Sequence, residues 1–239
     1  ISQSEEFYTK LNYNIQFSNF SIAEVKITIK NLNGNYSFDM NTSSVGVLEK
    51  FYKYKSHIYG YSVKDNNKII PKIYSVNSTY KNKGMKSEVR WNDTKSDLII
   101  KNIPKMDYKK VRKIPKDSIY NVIDPFSSIV NMIQNLENNN TCINEFRVFD
   151  GRRRYNIQSI EIGRQFLQKD RPNTFEGYVI ICGLRFFPIG GQRIESNWRP
   201  EHDKYSDIKV FFGSKNNSLL PVRLEIQRWF GKIITRLVI

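Results

Sequence analysis

The sequence predicts a mainly β protein whose antiparallel sheet is barrel-like or spiral, with one amphipathic helix and a second short helix. Apolar and polar residues alternate with a period of two through most of the 239 residues. Turn residues separate about a dozen such runs, and the chain shows few of the strand-helix-strand signals that a parallel sheet requires. The length suits one large β domain, so we expect residues 1–239 to form a single domain.

The first strands follow from the alternation of apolar and polar residues in 7–18 and 21–30. Asn33-Gly34 then supplies a two-residue hairpin turn, in which both residues take positive φ. In 43–65 the apolar residues first recur at helical spacing and the tyrosines then alternate, so we expect a short helix followed by a strand. Three more short strands are predicted, at 72–80, 86–92 and 97–103.

Residues 104–124 interrupt this rhythm with two prolines and six Lys or Arg residues, and predict a long irregular basic loop. A helix is predicted at about 124–138, where Asp124 can cap the N-terminus and Pro125 suits the first helical position. Its apolar residues form one stripe, which we expect to pack against the sheet or to plug one end of a barrel. The stripe comprises Phe126, Ile129, Val130, Ile133 and Leu136.

The string "EFRVFDGRRRYNI" at 145–157 predicts two strands joined by Asp150-Gly151 in a type I′ turn. The arginines at 152–154 alternate in the returning strand, so that only Arg153 shares the inward face with Tyr155. One interpretation is that Arg153 binds an internal carboxylate or a ligand anion through its planar guanidinium. The other is that it forms a structural ion pair while its two neighbours are solvated.

The C-terminal part is also predicted to consist of strands. Residues 177–189 form a long apolar run that ends at a Gly190-Gly191 turn. Three further runs complete a meander, at 207–213, 220–231 and 232–239.

The net charge of +15, with a pI near 9.7, indicates an anionic partner such as a membrane surface or a nucleic acid. The basic excess in the first half of the chain is mainly scattered lysine, which is also typical of a plain solvated surface. The sequence contains no aromatic-interleaved nucleic-acid motif, so we expect no nucleic-acid partner.

The two cysteines, Cys142 and Cys182, have no neighbouring His ligands and form no C-x-x-C motif. This pattern argues against a structural zinc site and leaves two alternatives, a disulfide or a pair of buried thiols. We therefore expect no metal.

Enzyme signatures are largely missing from the sequence, which contains no G-x-S-x-G, P-loop or H-E-x-x-H motif. The two histidines, His57 and His202, lie far apart without a ligand pattern and are expected to be surface or packed residues. We expect no catalytic residues and no cofactor, although strands can bring together a pair of acids that the spacing does not reveal.

Five strings are together similar to a family of exported proteobacterial proteins known as a domain of unknown function: "KSEVRWND", "IDPFSSIVNMI", "CINEFRVFDGRRRYNI", "GYVIICGLRFFPIGG" and "LLPVRLEIQRWFGKI". The resemblance covers most of the chain and is densest in 124–239. More distantly, the pattern resembles the β-spiral envelope-integrity proteins of alphaproteobacteria. The resemblance implies a periplasmic location and a disulfide between Cys142 and Cys182, but no agreed activity. The Lys- and Asn-rich N-terminal part departs from the family pattern.

We therefore expect a non-catalytic periplasmic protein that maintains the envelope by binding an apolar or lipid ligand, or a protein partner, on a curved sheet. If the ligand is apolar or a lipid, residues 104–124 would cover the mouth of the curved sheet. Basic residues would favour anionic head groups or an anionic membrane surface. Candidate ligand contacts are Tyr59, Tyr61, Trp91, Arg153, Tyr155, Phe186 and Trp198. Alternatives are an adaptor that binds another envelope protein through its surface or a sheet edge, and a hydrolase of envelope polymers.

The expected location also rests on the start of the chain at Ile1 and on the length of its apolar runs. The chain does not begin with methionine, so it is either a processed mature form or a trimmed form of a longer chain. Together with the resemblance, this leads us to expect an exported form from which the signal peptide has been removed. The best apolar runs, at 178–184 and 233–239, are much shorter than a membrane-spanning helix needs, so we expect a soluble protein.

Overall fold

The computed structural model describes residues 6–66, 68–92, 98–196 and 203–239, most of which lie in one antiparallel sheet of 13 strands. The strands are β1 (Phe7–Phe17), β2 (Phe20–Leu32), β3 (Asn35–Ser44), β4 (Tyr54–Asp65), β5 (Lys68–Tyr80), β6 (Lys83–Trp91), β7 (Leu98–Ile103), β8 (Asn144–Phe149), β9 (Arg154–Leu167), β10 (Gly177–Gly190), β11 (Ile208–Lys215), β12 (Ser218–Arg228) and β13 (Gly231–Val238). Two α-helices in the described ranges, α1 (Gly46–Phe51) and α2 (Pro125–Asn139), accompany the sheet. The predicted mainly β class and the short helix before β4 are confirmed.

The order of the strands places the two ends of the chain side by side in the middle of the sheet. The order is β7-β6-β5-β4-β3-β2-β1-β13-β12-β11-β10-β9-β8. Strands β7 and β8 follow each other in sequence, yet they form the two opposite edges. The connection from 104 to 143 therefore has to pass from one edge of the sheet to the other.

The sheet curls until the turn between β8 and β9 lies against β6 and β7. The side-chain hydroxyl of Ser87 lies 3.4 Å from the carbonyl oxygen of Asp150, and the amide nitrogen of Asn102 lies 2.9 Å from the carbonyl oxygen of Gly151. Within the described ranges, strand β7 nevertheless pairs with β6 alone and not with β8. The result is an overlapping, barrel-like sheet, as the sequence predicts.

Helix α2 begins and ends as the sequence predicts. The carboxylate of Asp124 accepts hydrogen bonds from the backbone N–H groups of Phe126 (2.8 Å) and Ser127 (3.0 Å), and Pro125 occupies the first turn. The helix ends at Asn140, which takes a left-handed conformation with φ of 51°.

The helix packs inside the curled sheet, but its buried face differs from the predicted stripe. Phe126 stacks on Phe38 of β3 at 4.1 Å, and the side chain of Asn131 bonds both the N–H and the C=O of Ile69 in β5. Ile129 is exposed, which corrects the prediction, whereas Ser127 is fully buried. The serine is tolerated there because its hydroxyl bonds Asp124 and the hydroxyl of Ser62.

Local turn chemistry explains the regular first half of the sheet. Asn33 and Gly34 take φ of 53° and 82°, so β2 and β3 are joined by the two-residue turn that the sequence predicts.

The first and last strands pack through a core of their own with β10, β11 and β12, and a second core surrounds α2 and the two cysteines.

Candidate functional site

Four neighbouring connections of the sheet lie at the same end. Because successive antiparallel strands reverse direction, the connections β1–β2, β3–β4, β5–β6 and β12–β13 all leave the sheet on one side. We call this end the rim and define it as residues 17–20, 45–54, 80–83 and 228–232. Its eight consecutive strands span roughly 35 Å at the usual strand spacing.

The rim exposes many large apolar side chains. Trp229 is 94% exposed, and Phe20 and Phe51 are 68% and 66% exposed. The exposed set consists of Phe20, Val47, Phe51, Tyr52, Tyr54, Tyr80, Trp229 and Phe230. Single exposed apolar residues are normal, but a group of them at one end of a molecule is typical of an interaction surface.

The aromatic rings of the rim form two local groups. Tyr52 stacks on Tyr80 with ring centroids 6.2 Å apart, and the ammonium of Lys81 lies 4.6 Å from the centroid of Tyr52. At the other side Phe230 lies 6.0 Å from Phe17 and 5.5 Å from Trp229. The β5–β6 turn places Lys81 over the rings, because Lys81 and the next residue both take positive φ.

Helix α1 lies between these two groups. The backbone N–H of Val45, just before the helix, bonds the carbonyl oxygen of Ile22 at 3.1 Å and so fixes the helix against the start of β2. Val47 and Phe51 are four residues apart and therefore lie on one side of the helix, where both are exposed. The helix thus adds two apolar side chains to the rim.

The charges of the rim are mostly positive and largely uncompensated. Lys50, Lys53, Lys81 and Lys83 form no ion pair with any carboxylate in the part of the chain that the structure describes. Lys232, by contrast, lies 3.3 Å from Glu225. The rim therefore combines exposed aromatic rings with ammonium groups that have no carboxylate partner among the described residues.

A second polar region joins the two edges of the sheet, and we call it the seam: residues 86–91, 98–124 and 147–154. The backbone N–H of Ile123 bonds the carbonyl oxygen of Arg147 (2.8 Å), and the N–H of Phe149 bonds the carbonyl oxygen of Ile123 (2.9 Å), so Ile123 covers the edge of β8. The indole N–H of Trp91 donates to the carbonyl oxygen of Val122 at 2.9 Å.

The seam also has an apolar core, to which residues 104–124 contribute. Val89, Val122 and Phe149 are buried together, with Ile114 and Ile119 packed against them. These apolar side chains place the basic segment between the two sheet edges, because burying them there removes them from water. The segment therefore joins the two edges of the sheet, and its role as the cover of a mouth remains a prediction.

The predicted two-residue turn at Asp150-Gly151 is wrong. Phe149 pairs with Arg154, so the loop contains the four residues 150–153, and only Gly151 among them takes positive φ. The Asp150 carboxylate explains the longer loop, since it accepts the backbone N–H groups of Arg152 (2.9 Å) and Arg153 (2.6 Å).

The three consecutive arginines have three different environments. Arg153 is exposed and pairs with Asp150 at 3.3 Å, as the structural interpretation predicts. Arg152 donates to the carbonyl oxygen of Pro104 at 2.6 Å, and Arg154 is only 3% exposed. The expectations that Arg153 faces inward and that Arg152 and Arg154 are solvated are therefore wrong.

Arg154 is a buried cation held by neutral oxygen atoms. It donates to the carbonyl oxygens of Ser118 (2.7 Å) and Tyr155 (2.6 Å) and to the side-chain oxygen of Asn156 (2.7 Å). No carboxylate among the described residues pairs with it. Burial, with a contribution from the charge of Arg147, lowers the pKa of Arg154 to about 10. Arg154 therefore fixes the 116–119 turn to the sheet while remaining charged at neutral pH.

Asp124 is the buried carboxyl group of the same region. Burial raises the pKa of its carboxyl group, against the opposing effect of hydrogen bonds from Ser127 and from the backbone at the start of α2. Because every one of these contacts belongs to the helix start, the carboxyl group serves as a structural cap.

The structure separates the remaining candidate ligand contacts. Tyr155 and Phe186 lie together, with ring centroids 5.8 Å apart, against the core around the disulfide. Tyr59 and Tyr61 alternate with buried Gly60 and therefore lie on the other, partly exposed face of β4. Trp91 belongs to the seam, and Trp198 lies outside the described residues. The roles of all these residues as ligand contacts remain predictions.

The disulfide implied by the resemblance is confirmed. Cys142 and Cys182 are bonded to each other, their Cα atoms lie 5.6 Å apart, and both residues are fully buried. The bond attaches the chain just after α2 to β10. It therefore holds the end of the internal helix against the sheet.

Sequence reasoning singled out the arginines at 152–154, which lie in the seam, but it predicted neither the seam itself nor the rim. The signal was the placement of aromatic residues and lysines at turns, as in Tyr80-Lys81 and Tyr52-Lys53. Such pairs are separated along the chain, and only the strand order shows that their turns share one end of the sheet.

The described residues offer little catalytic geometry. His57 lies 2.6 Å from Asp39 on the exposed face of the sheet, while His202 lies outside the described residues. In the ranges that the structure describes, no three His, Cys, Asp or Glu side chains form a group that could hold a metal ion. No helix within those ranges is long and apolar enough to cross a membrane.

Comparisons with known proteins agree with the fold. The chain is similar to a β-barrel-like protein of the domain of unknown function DUF1849 from Brucella abortus, with a TM-score of 0.55 and 11% sequence identity, over 97% of this chain and 95% of that chain. At this identity the likeness shows the fold alone. No significant match was found among curated proteins. The sequence profile of the DUF3108 proteins of unknown function matches residues 12–238, so the chain belongs to the DUF3108 family.

Proposed function

We propose that this protein is a non-catalytic envelope protein of the periplasm that docks end-on on an anionic lipid surface through its rim. The observation that carries the proposal is the combination, at one end of the sheet, of exposed Trp229, Phe51 and Phe20 with lysines that have no carboxylate partner. The folded sheet would stand on the membrane and present its other surfaces to the periplasm.

The chemistry of the rim matches that of a membrane interface. Indole and phenol rings prefer the head-group region, where the apolar ring and the polar atom both find partners. Four unpaired lysines near an anionic surface contribute on the order of 4 kcal/mol in total, which corresponds to a dissociation constant of about 1 mM. Apolar insertion of Trp229, Phe51 and Phe20 then adds to this electrostatic attraction.

The interior supports a surface role more than an enclosed ligand. Helix α2 packs inside the curled sheet, where Phe126 stacks on Phe38 and Asn131 bonds both backbone groups of Ile69. Space that the helix fills is not open to a lipid chain. The lipid contact that we propose therefore lies on the rim.

The disulfide supports the proposed compartment. Disulfides such as Cys142–Cys182 form and persist in oxidising compartments, of which the bacterial periplasm is one. The envelope-maintenance role is proposed from this location together with the lipid-facing rim.

Vesicle binding tests the proposal directly. Sedimentation with vesicles of phosphatidylcholine alone and of phosphatidylcholine mixed with phosphatidylglycerol should show binding to the mixed vesicles only, weakening as salt is added. Trp229→Ala and Lys81→Glu should each weaken binding by about tenfold or more, because they remove an interfacial ring or reverse a charge.

A matched control exists at the opposite end of the sheet. There Lys30 lies over the ring of Tyr8, with 5.4 Å between its nitrogen and the ring centroid, which is similar to the arrangement of Lys81. Lys30→Glu makes the same charge change away from the rim and should leave vesicle binding nearly unchanged. Equal losses from Lys30→Glu and Lys81→Glu would show only a general effect of net charge and would contradict docking through the rim.

A further inference from the structure

The two edges of the sheet are protected unequally. The edge of β8 is covered by Ile123, whose backbone bonds Arg147 and Phe149. Strand β7, at the other edge, pairs with β6 alone, and no described backbone group bonds its outer side. An uncovered edge presents a row of N–H and C=O groups that another strand can pair with.

Strand β7 also exposes apolar side chains beside this edge. Ile99, Ile100 and Ile103 are 46%, 37% and 65% exposed. The turn at 150–153 does not cover them, because it contacts this part of the sheet through Asn102 and Ser87. A strand added beside β7 would therefore gain apolar contacts as well as backbone hydrogen bonds.

We propose that β7 is a strand-addition site that takes up an extended, acidic segment of another polypeptide. The proposal is independent of membrane docking, because no residue of β7 belongs to the rim. In this mode backbone pairing supplies affinity, and alternate side chains supply specificity.

Charge identifies the kind of segment that fits. Lys101, in the middle of β7, is exposed, and Lys105 and Lys109 follow it without an ion pair among the described residues. Nearby, Asp107 is occupied by Lys110 at 3.6 Å. A second copy of β7 would bring like charges together across the new ladder, which is unfavourable, whereas glutamates opposite these lysines would be favourable. An edge lysine therefore discourages self-association and admits an acidic partner.

Hydrogen exchange with a synthetic probe tests this site. The probe is a peptide in which valine alternates with glutamate, and its control replaces every glutamate with lysine. The glutamate peptide should slow amide exchange in 98–103 and leave 144–149 unchanged, whereas the lysine peptide should slow neither. Lys101→Glu should weaken binding of the glutamate peptide by about fivefold, as expected when one cross-strand charge pair is reversed.

The matched variant is Lys26→Glu, since Lys26 is exposed on a central strand, β2, that has neighbours on both sides. It should leave peptide binding unchanged. The proposal is overturned if neither peptide protects β7, if both protect it equally, or if Lys26→Glu weakens binding as much as Lys101→Glu. Concentration-dependent dimerisation with protection of β7 in the absence of peptide would likewise overturn it, in favour of a second copy. None of these outcomes depends on vesicle binding by the rim.

Discussion

The seam and the rim both depart from the rule that apolar groups lie inside and polar groups outside, but they do so in opposite directions. The seam buries a guanidinium group, that of Arg154, and a carboxyl group, that of Asp124. The rim exposes large rings, with Trp229 as the extreme case. In the seam, both buried groups form hydrogen bonds within the chain. In the rim, the exposed surfaces of the rings are not covered by other parts of the described chain.

This difference separates structural from functional exceptions. A buried charge that meets well-placed hydrogen-bond partners is explained by the fold itself, as Arg154 is explained by three neutral oxygen atoms. Exposed apolar area that meets no protein partner is not explained by folding, because folding would be favoured by its burial. The comparison therefore predicts that seam substitutions change stability and that rim substitutions change binding.

The largest effect on stability is expected from Gly191→Ala. Gly191 lies against the backbone of Arg152 in the seam. Gly191 has φ of +86°, and an added Cβ would lie 1.9 Å from the carbonyl oxygen of Arg152. Since this contact is with backbone, the chain must shift, and we expect a loss of about 4 kcal/mol or more in the free energy of unfolding. Urea denaturation measures it. Gly163→Ala, where nothing lies within 4 Å of the added atom, is the control; similar losses in both would contradict the tight fit at the seam.

A somewhat smaller effect on stability is expected from loss of the disulfide, which attaches the chain just after α2 to β10. Replacing Cys142 and Cys182 together by serine should lower the free energy of unfolding by about 2–5 kcal/mol, since the bond restricts the unfolded chain. Reduction of the unaltered protein should have a similar effect on its stability. Vesicle binding by the folded variant should remain, because neither cysteine lies in the rim. A loss of vesicle binding together with the loss of stability would show that the rim depends on the disulfide, and would contradict the separation of the two regions.

The arginines of the seam should differ according to their burial. Arg154→Met leaves the carbonyl oxygen of Ser118 and the side chain of Asn156 short of a donor, and should cost about 1–3 kcal/mol in thermal or urea unfolding. Arg153→Met removes only an exposed ion pair with Asp150 and should cost less than about 1 kcal/mol. Equal costs would mean that burial does not distinguish the two side chains.

Much of the fold could be predicted from the sequence because its signals are local. Alternation identified most strands, Asn33-Gly34 identified a hairpin, and Asp124-Pro125 identified the start of α2. The turn at 150–153 was mispredicted because the Asp150 carboxylate bonds the backbone two and three residues later, which a dipeptide rule does not describe. Ile129 was mispredicted because the burial of Ser127 depends on Ser62, which is distant in sequence.

The candidate site could not be predicted in the same way. Tyr80 and Trp229 reach one surface only because β1 pairs with β13, a contact between the two ends of the chain. Period-two patterning assigns residues to faces of a strand but says nothing about which turns share an end of the sheet. The uncovered edge of β7 had no local sequence signal either. Which edge is covered depends on Ile123, which lies beside β8 and not beside β7.

The smallest effect on stability is expected at the rim, and two tryptophans give the sharpest comparison. Trp91→Phe removes the indole N–H that donates to the carbonyl oxygen of Val122 in the seam, and should cost about 1–3 kcal/mol in urea unfolding. Trp229→Phe changes a side chain that is 94% exposed, so we expect a change within about 0.5 kcal/mol. Vesicle binding should show the reverse order, since only Trp229 can enter a lipid interface without unfolding its surroundings. If Trp229→Phe were instead the more destabilising change, the exposed rings of the rim would be part of the fold, and the distinction between the two regions would fail.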